Sequence, residues 1–192
     1  MKMSHLVSRA LLALALTAPF ASAYAADDAS GNLNFIAGQK WLDKGDWEPI
    51  EQQRSFGISV NYEPEGWWCG ATFDVLNGYS SDTNATGRLT SDTWEFDVGP
   101  KKVFKIPNVP IRAYVGGGYA YISATVKNRI SSSRSEGSGS GAWASTGLFV
   151  TLANKINLGI EARYSSAQVT VDGNNLDAGG TNVGAIVGFH FQ

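Results

Sequence analysis

TNVGAIVGFHFQ, residues 181–192, closes the chain with two aromatic residues in its last four positions and no charged or flexible tail. The ends of soluble domains fray unless something ties them down, so this ending calls for a partner. Side chains alternate along an extended segment. Val183, Ala185, Val187, Phe189 and Phe191 therefore share one face, and Asn182, Gly184, Ile186, Gly188 and His190 share the other. The segment reads as a half-apolar strand, and the fold depends on whether its apolar face meets a protein core or lipid.

The opposite end narrows that choice. Lys2 and Arg9 precede an apolar run, Ala10 to Ala18, and the small residues of Ala21-Ser22-Ala23-Tyr24-Ala25 offer cleavage sites after Ala23 or Ala25. This is the pattern of a secretory signal peptide, and the run is too short to span a bilayer as a helix. The expected organisation is a leader over 1–25 and one exported domain over 26–192, most simply from a bacterium.

Composition bounds that domain. Cleavage after Ala25 removes Lys2 and Arg9 from a total of 15 basic and 17 acidic residues, so the mature chain carries a formal charge of −4. No basic excess points to nucleic acid. The 22 Gly, 6 Trp and 7 Tyr favour strands and turns, and helical periodicity is almost absent. Cys69 is the only cysteine, so the chain can form neither an internal disulfide nor a cysteine-based metal site.

An alternating pattern recurs eight times. The first strand, about 32–42, sets Leu33, Phe35, Ala37 and Trp41 on one face, and the second sets Phe56, Ile58, Val60 and Tyr62 against Ser55, Gly57, Ser59 and Asn61. The third sets Trp67, Cys69, Ala71, Phe73 and Val75 against Trp68, Gly70, Thr72 and Asp74, which puts Cys69 on the apolar face near a turn. Trp94, Phe96 and Val98 oppose Glu95, Asp97 and Gly99 in the fourth. Ile111, Ala113, Val115 and Tyr119 oppose Arg112, Tyr114, Gly116 and Gly118 in the fifth. The sixth, about 142–152, has no clear phase. The seventh sets Ile156, Leu158, Ile160, Ala162 and Tyr164 against Asn157, Gly159, Glu161, Arg163 and Ser165. The eighth is the terminal segment.

Connections alternate in length. Long polar stretches begin at Asn77, Lys127 and Val171, whereas EPEG from Glu63 and LANK from Leu152 are tight; GPKKVFKIPNVP from Gly99 is a longer exception. Short turns on one rim and long loops on the other are the plan of an even-stranded transmembrane barrel. Face chemistry separates this from a secreted soluble barrel, which needs bulky apolar residues inside and charge outside. Here the face opposite the bulky residues carries Gly, Ser, Thr and Asn, with Lys40, Asp74, Glu95, Asp97, Arg112, Glu161 and Arg163. A Lys or Arg facing hydrocarbon near the midplane costs about 2–4 kcal/mol, so these residues are expected inside, as an ion network filling the lumen. The expected fold class is all-β, a closed eight-stranded antiparallel transmembrane β-barrel in which the last strand pairs with the first, because an open edge in lipid leaves backbone groups unsatisfied.

The fragments IRAYVGGGYAYI (111–122) and INLGIEARYSS (156–166), with the terminal strand, resemble the small eight-stranded outer-membrane β-barrel family that includes opacity-type proteins and the OmpA transmembrane domain. The likeness covers the chain from about Asn32 onward. It implies an outer-membrane location, contact with outer-membrane lipid and lipopolysaccharide, and a monomer. It also implies recognition by the barrel-assembly machinery through a terminal signal at Asn182, Gly184, Val187, Phe189 and Phe191, although Gln192 rather than an aromatic stands last. Members include adhesins, resistance proteins, narrow channels, envelope tethers and lipid-modifying enzymes, and fold does not choose among them. No peptidoglycan-binding region follows the barrel pattern, so a tether is not the expectation.

An enzyme is not expected either. RYSSA, 163–167, is similar to the His-x-Ser-Asn stretch of outer-membrane lipid A deacylases, but Arg163 stands in the place of the His and Ser166 in the place of the Asn. A nucleophilic Ser needs a base within hydrogen-bond reach. The one histidine after the leader, His190, is expected at the other end of the barrel. No cofactor or metal ligand spacing is present. Glu161 and Arg163, two apart on one face, are placed within reach of Arg112 and the acids of strands three and four, as a structural network or, alternatively, a gated polar passage. Trp41, Trp67, Trp68, Tyr62 and Tyr164 read as interfacial girdle residues. Trp47, in the 43–53 loop, either packs under the loop or touches a partner, and Asn84-Ala85-Thr86 is read as an incidental sequon. The expected function is a non-enzymatic surface protein serving envelope integrity or adhesion, with a narrow solute channel as the alternative.

Overall fold

The terminal strand closes the molecule on itself. In the computed structural model, which describes residues 29–84, 87–106, 109–128, 133–171 and 174–192, β1 (Ser30–Trp41) pairs antiparallel with β2 (Gln52–Glu63) on one side. On the other side it meets the terminal strand, from Gly31 opposite Phe191 to Trp41 opposite Thr181. A four-residue helix, α1 (Lys44–Trp47), joins β1 to β2. The ring continues through β3 (Gly70–Asn84), β4 (Gly87–Lys105), β5 (Ile111–Asn128), β6 (Ser133–Leu152) and β7 (Ile156–Val171). After the short β8 (Asn174–Asp177), the terminal strand β9 (Gly180–Phe191) pairs with both β7 and β1. Eight strands thus form a closed antiparallel barrel, and β8 stands outside the ring on the far end of β7.

Alternation orients every wall. On β7 the outward residues Ile156, Leu158, Ile160 and Tyr164 are 40–60% exposed, and their outward successors are Ser166, Gln168 and Thr170. From Ile156 to Tyr164 the strand runs about 27 Å, and a tilt of about 40° reduces that to roughly 20 Å of height, close to the ~25 Å apolar band of such barrels. Exposed Trp41, Trp94, Tyr79 and Tyr164 stand towards one rim, and Trp67, Trp68, Phe104 and Phe189 stand towards the other. Two aromatic belts bracket the band. Both described termini and the tight turns lie on one rim, which is the periplasmic side of an outer-membrane barrel.

Four features differ from the sequence reading. First, β3 starts at Gly70, so Trp67 and Trp68 belong to the preceding turn; Cys69 is half-buried beside Pro100 and Lys102. Second, the polar stretches after Asn77 and Lys127 are for the most part strand. They extend β3 to Asn84, β4 from Gly87, β5 to Asn128 and β6 from Ser133, because each arm satisfies the other's backbone. Third, the GPKKVFKIPNVP link shrinks, since β4 runs on to Lys105. Fourth, the unphased sixth strand takes its phase from its neighbours, with Trp143, Ser145, Phe149 and Thr151 inward. The proposed leader and the Ala85-Thr86 part of the sequon lie outside the described residues.

The candidate functional site in the lumen

Inward residues fill the barrel in layers. At the periplasmic end is an amide cluster. Asn157 Nδ2 donates to Asn32 Oδ1 (2.8 Å) and Asn34 Oδ1 (3.0 Å), Thr151 Oγ1 donates to Asn157 Oδ1 (2.9 Å), and Asn32 Nδ2 donates to Asn61 Oδ1 (3.0 Å). Above it Ile36, Tyr114, Phe149 and Ile186 form a small apolar layer with Val103.

The charged layer comes next. Lys40, Asp74, Glu95, Asp97, Lys101, Glu161 and Arg163 are each at most 4% exposed. Arg163 serves three carboxylates: Nη1 donates to Asp97, Nη2 to Asp74 and Nε to Glu161 Oε1 at 3.0 Å. Its guanidinium carbon lies 4.7 Å from the centroid of a Trp143 ring, a cation–π contact made away from water. Tyr114 Oη donates to Glu161 Oε2 at 2.5 Å, which meets that carboxylate's second oxygen. Lys101 Nζ donates to Ser59 Oγ at 3.0 Å, with Asp74 Oδ2 at 3.9 Å. On the extracellular side of Arg163, Lys40 Nζ donates to Glu95 Oε2 at 2.7 Å. A charge buried to this degree is tolerated only when paired and hydrogen-bonded; each of these has an ionic partner, although Glu95 Oε1 and Asp97 Oδ1 are buried without a hydrogen bond.

A neutral polar layer follows: Gln53 Nε2 donates to Ser91 Oγ (3.0 Å), Thr93 Oγ1 to Gln53 Oε1 (2.8 Å) and Ser55 Oγ to Asn182 Oδ1 (3.0 Å). The extracellular end is apolar. Leu42, Trp47, Ile50, Ile122, Ala124, Ala167, Val169, Val171 and Ala178 pack as one buried cluster. α1 and the β8 segment supply its roof, because Trp47 Nε1 donates to Asp177 O at 2.6 Å and Asp177 N donates to Asp46 Oδ2 at 2.8 Å. Trp47 is 2% exposed.

Of the residues singled out in sequence, Lys40, Asp74, Glu95, Asp97, Glu161 and Arg163 meet in the charged layer. Arg112 does not. It sits at the periplasmic mouth, where its Nη1 donates to His190 Nε2 at 3.2 Å. Through Phe149 it aligns with Gly159, four residues or about 13 Å along β7 from Arg163 on the periplasmic side. A shared face gave the two arginines the same lumen but not the same height.

Lys101, Tyr114 and Trp143 were not assigned to the network from sequence. Lys101 was legible in principle, since it keeps the parity of Asp97 on β4, but reading GPKK as a turn ended the strand too early. Tyr114 already lay on the polar face of strand five. Trp143 needed the register that sets it opposite Ser165. That Ser165 is 1% exposed and pairs with Gly180, ten residues or roughly 33 Å along β9 from His190. The structure does not bring the serine and the histidine together. No group of three metal-ligating side chains with the geometry for an ion occurs among the described residues.

The terminal residues divide between the two faces. Asn182 and Gly184 face the lumen, Val187 and Phe189 face lipid, and Phe191 ends β9 opposite Gly31.

Comparison with known proteins agrees with this geometry. No curated protein matches the chain in sequence. Among solved structures, Neisserial surface protein A is similar at TM-score 0.58 and 13% identity, over 85% of this chain and 96% of that one. Ail, the attachment invasion locus protein of Yersinia pestis, is similar at TM-score 0.54 and 15% identity, over 85% and 97%. The N-terminal β-barrel domain of Pseudomonas aeruginosa OprF is similar at TM-score 0.50 and 17% identity, over 84% and 97%. Identities this low speak to fold alone. The family model for the outer membrane protein beta-barrel domain matches residues 10–191. With its closed ring, lipid-facing apolar band and inward charges, the chain belongs to the outer membrane protein beta-barrel domain family and resides in the outer membrane.

Proposed function

We propose that this protein is a non-enzymatic structural and surface-contact protein, exported by a leader over 1–25, whose barrel is closed to solutes. The observation that carries the reading is the apolar cluster under α1 and β8, which covers the extracellular end of a lumen already filled by hydrogen-bonded side chains. Water and ions crossing it would have to part Trp47, Ile50 and Val169 and then dismantle the Arg163 network. The separation of Ser165 from His190 supports a role without hydrolytic chemistry.

Specificity then belongs to the outside of the cell. The β3–β4 and β5–β6 arms rise beyond the apolar band and offer polar backbone-paired ribbons for contact with partners. Below them the protein is a monomer surrounded by outer-membrane lipid and lipopolysaccharide. Its assembly runs through the barrel-assembly machinery, which reads the outward Val187 and Phe189 together with Asn182, Gly184 and Phe191.

Planar-bilayer recording tests the closed state. A silent folded protein is expected; steady, ion-selective openings would replace this reading with that of a narrow channel through the Arg163 layer.

A further inference from the structure

The periplasmic end of the lumen opens into a pocket of about 490 Å³ beside the β2–β3 turn and the ends of β4 and β5. Its electrostatics differ from those of the filled layers above. Lys105 and Arg112 stand directly opposite each other across the β4–β5 pair, and both line the pocket. Like charges at opposed cross-strand positions destabilise a sheet. Among the described residues neither forms an ion pair, whereas the nearby Lys102 is answered by Glu63 at 2.5 Å. Glu65, also lining the pocket, is exposed on the turn. Without an added anion, the Lys105–Arg112 pair is a liability that the fold retains.

Arg112 is also held in position. His190 Nδ1 lies 3.0 Å from two acceptors, Gly31 O and Asn32 Oδ1, so that nitrogen carries the ring proton and donates. Nε2 is thereby left as an acceptor, and it receives one N–H of Arg112 at 3.2 Å. A neutral histidine anchored by the backbone thus fixes one corner of the guanidinium, and the other donors of the fork remain for a ligand. A planar fork held in this way suits an oxyanion. On the rim, Trp67 and Phe104 are 67% and 49% exposed and line the same pocket, at the depth of the periplasmic membrane interface.

We infer that the periplasmic mouth is a binding site for a phosphate-class oxyanion, held by Arg112 and Lys105 against an aromatic rim. The phosphate can arrive on the headgroup of an anionic phospholipid in the periplasmic leaflet or on a small soluble phosphate ester. The site does not depend on whether the lumen conducts.

The test uses the folded mature chain in a neutral maltoside detergent. In one arm sn-glycerol 3-phosphate is titrated calorimetrically; in the other, phosphatidylglycerol is supplied in mixed micelles and retained lipid is counted by native mass spectrometry. Binding in the first arm assigns a soluble ester, and retention in the second assigns a lipid headgroup. In whichever arm binds, the double variant Lys105→Gln/Arg112→Gln should weaken binding at least tenfold, and Lys127→Gln, on the extracellular arm, should leave it unchanged. Heat-modifiable gel mobility confirms that each variant is folded. If the double variant does not fold, Lys105→Gln alone decides, with a loss of threefold or more expected. The inference is overturned by silence in both arms, or by unchanged binding in the folded variants.

Discussion

Lys40 of β1 and Glu95 of β4 meet across the lumen at 2.7 Å, although β2 and β3 separate their strands, and the same ammonium donates to Ala178 O at 3.3 Å. One side chain therefore ties two non-adjacent walls to the roof of the barrel. Removing either member alone strands a buried charge, whereas removing both does not. Lys40→Met and Glu95→Gln should each lower the unfolding midpoint, and the double variant should recover part of the loss. A double-mutant cycle read by urea unfolding should give a coupling of about 1–3 kcal/mol; additive losses would mean that the pair contributes nothing specific.

Arg163 serves more partners, so its loss should cost more. Arg163→Ala leaves Asp97 and Glu161 without their cation and Asp74 with Lys101 alone, at 3.9 Å, and truncating one partner of a buried network costs about 3–5 kcal/mol. Arg134→Ala removes only an exposed contact with Glu136 and should stay within about 0.5 kcal/mol. Denaturant midpoints in detergent separate the two. Equal, negligible effects would contradict the network.

Opening the barrel should require two changes. Trp47→Ala removes the buried indole from the roof, at a cost of about 3–5 kcal/mol if the roof does not collapse, and the charged layer beneath should still block current. The double variant Trp47→Ala/Arg163→Ala should conduct in planar bilayers where each single variant is silent. Conductance from Trp47→Ala alone would show that the roof is the whole seal.

Gly141 marks where β6 needs a missing side chain. A Cβ there would lie 1.6 Å from the Ser166 carbonyl oxygen of β7, so Gly141→Ala must push two backbones apart and should reduce the folded fraction on heat-modifiable gels. Gly66, in the β2–β3 turn, has φ +73° with open space around it. Its replacement by Ala should cost only the left-handed backbone penalty, about 1 kcal/mol.

What sequence determined by itself was the face of each residue. Period-two alternation separates Phe35, Phe56, Trp94 and Ile160 from Lys40, Ser55, Glu95 and Glu161 without any structure, because adjacent side chains on a strand point oppositely and lipid penalises charge. The same pattern at 181–192 made the last strand a closing strand, and lipid's intolerance of an unpaired edge made the sheet a barrel. The phase failed only at β6, where apolar and small residues fall on both faces between Ala142 and Leu152 and alternation gives no contrast.

Height in the lumen was decided by the tertiary structure alone. Along the hydrogen-bond direction, Asp97 lines up through Ala120 and Gly141 with Ala167, yet its carboxylate binds Arg163, four residues away on the same strand. That offset arises because closing a tilted sheet staggers its register, and no local pattern encodes the total stagger. It is why Lys101 joined the acids while Arg112, on the same face, was left at the mouth beside His190. The extracellular roof has the same origin. Trp47 and Asp177 are 130 positions apart, and only ring closure, which brings the β1–β2 and β7–β9 connections side by side, sets them within a hydrogen bond of each other.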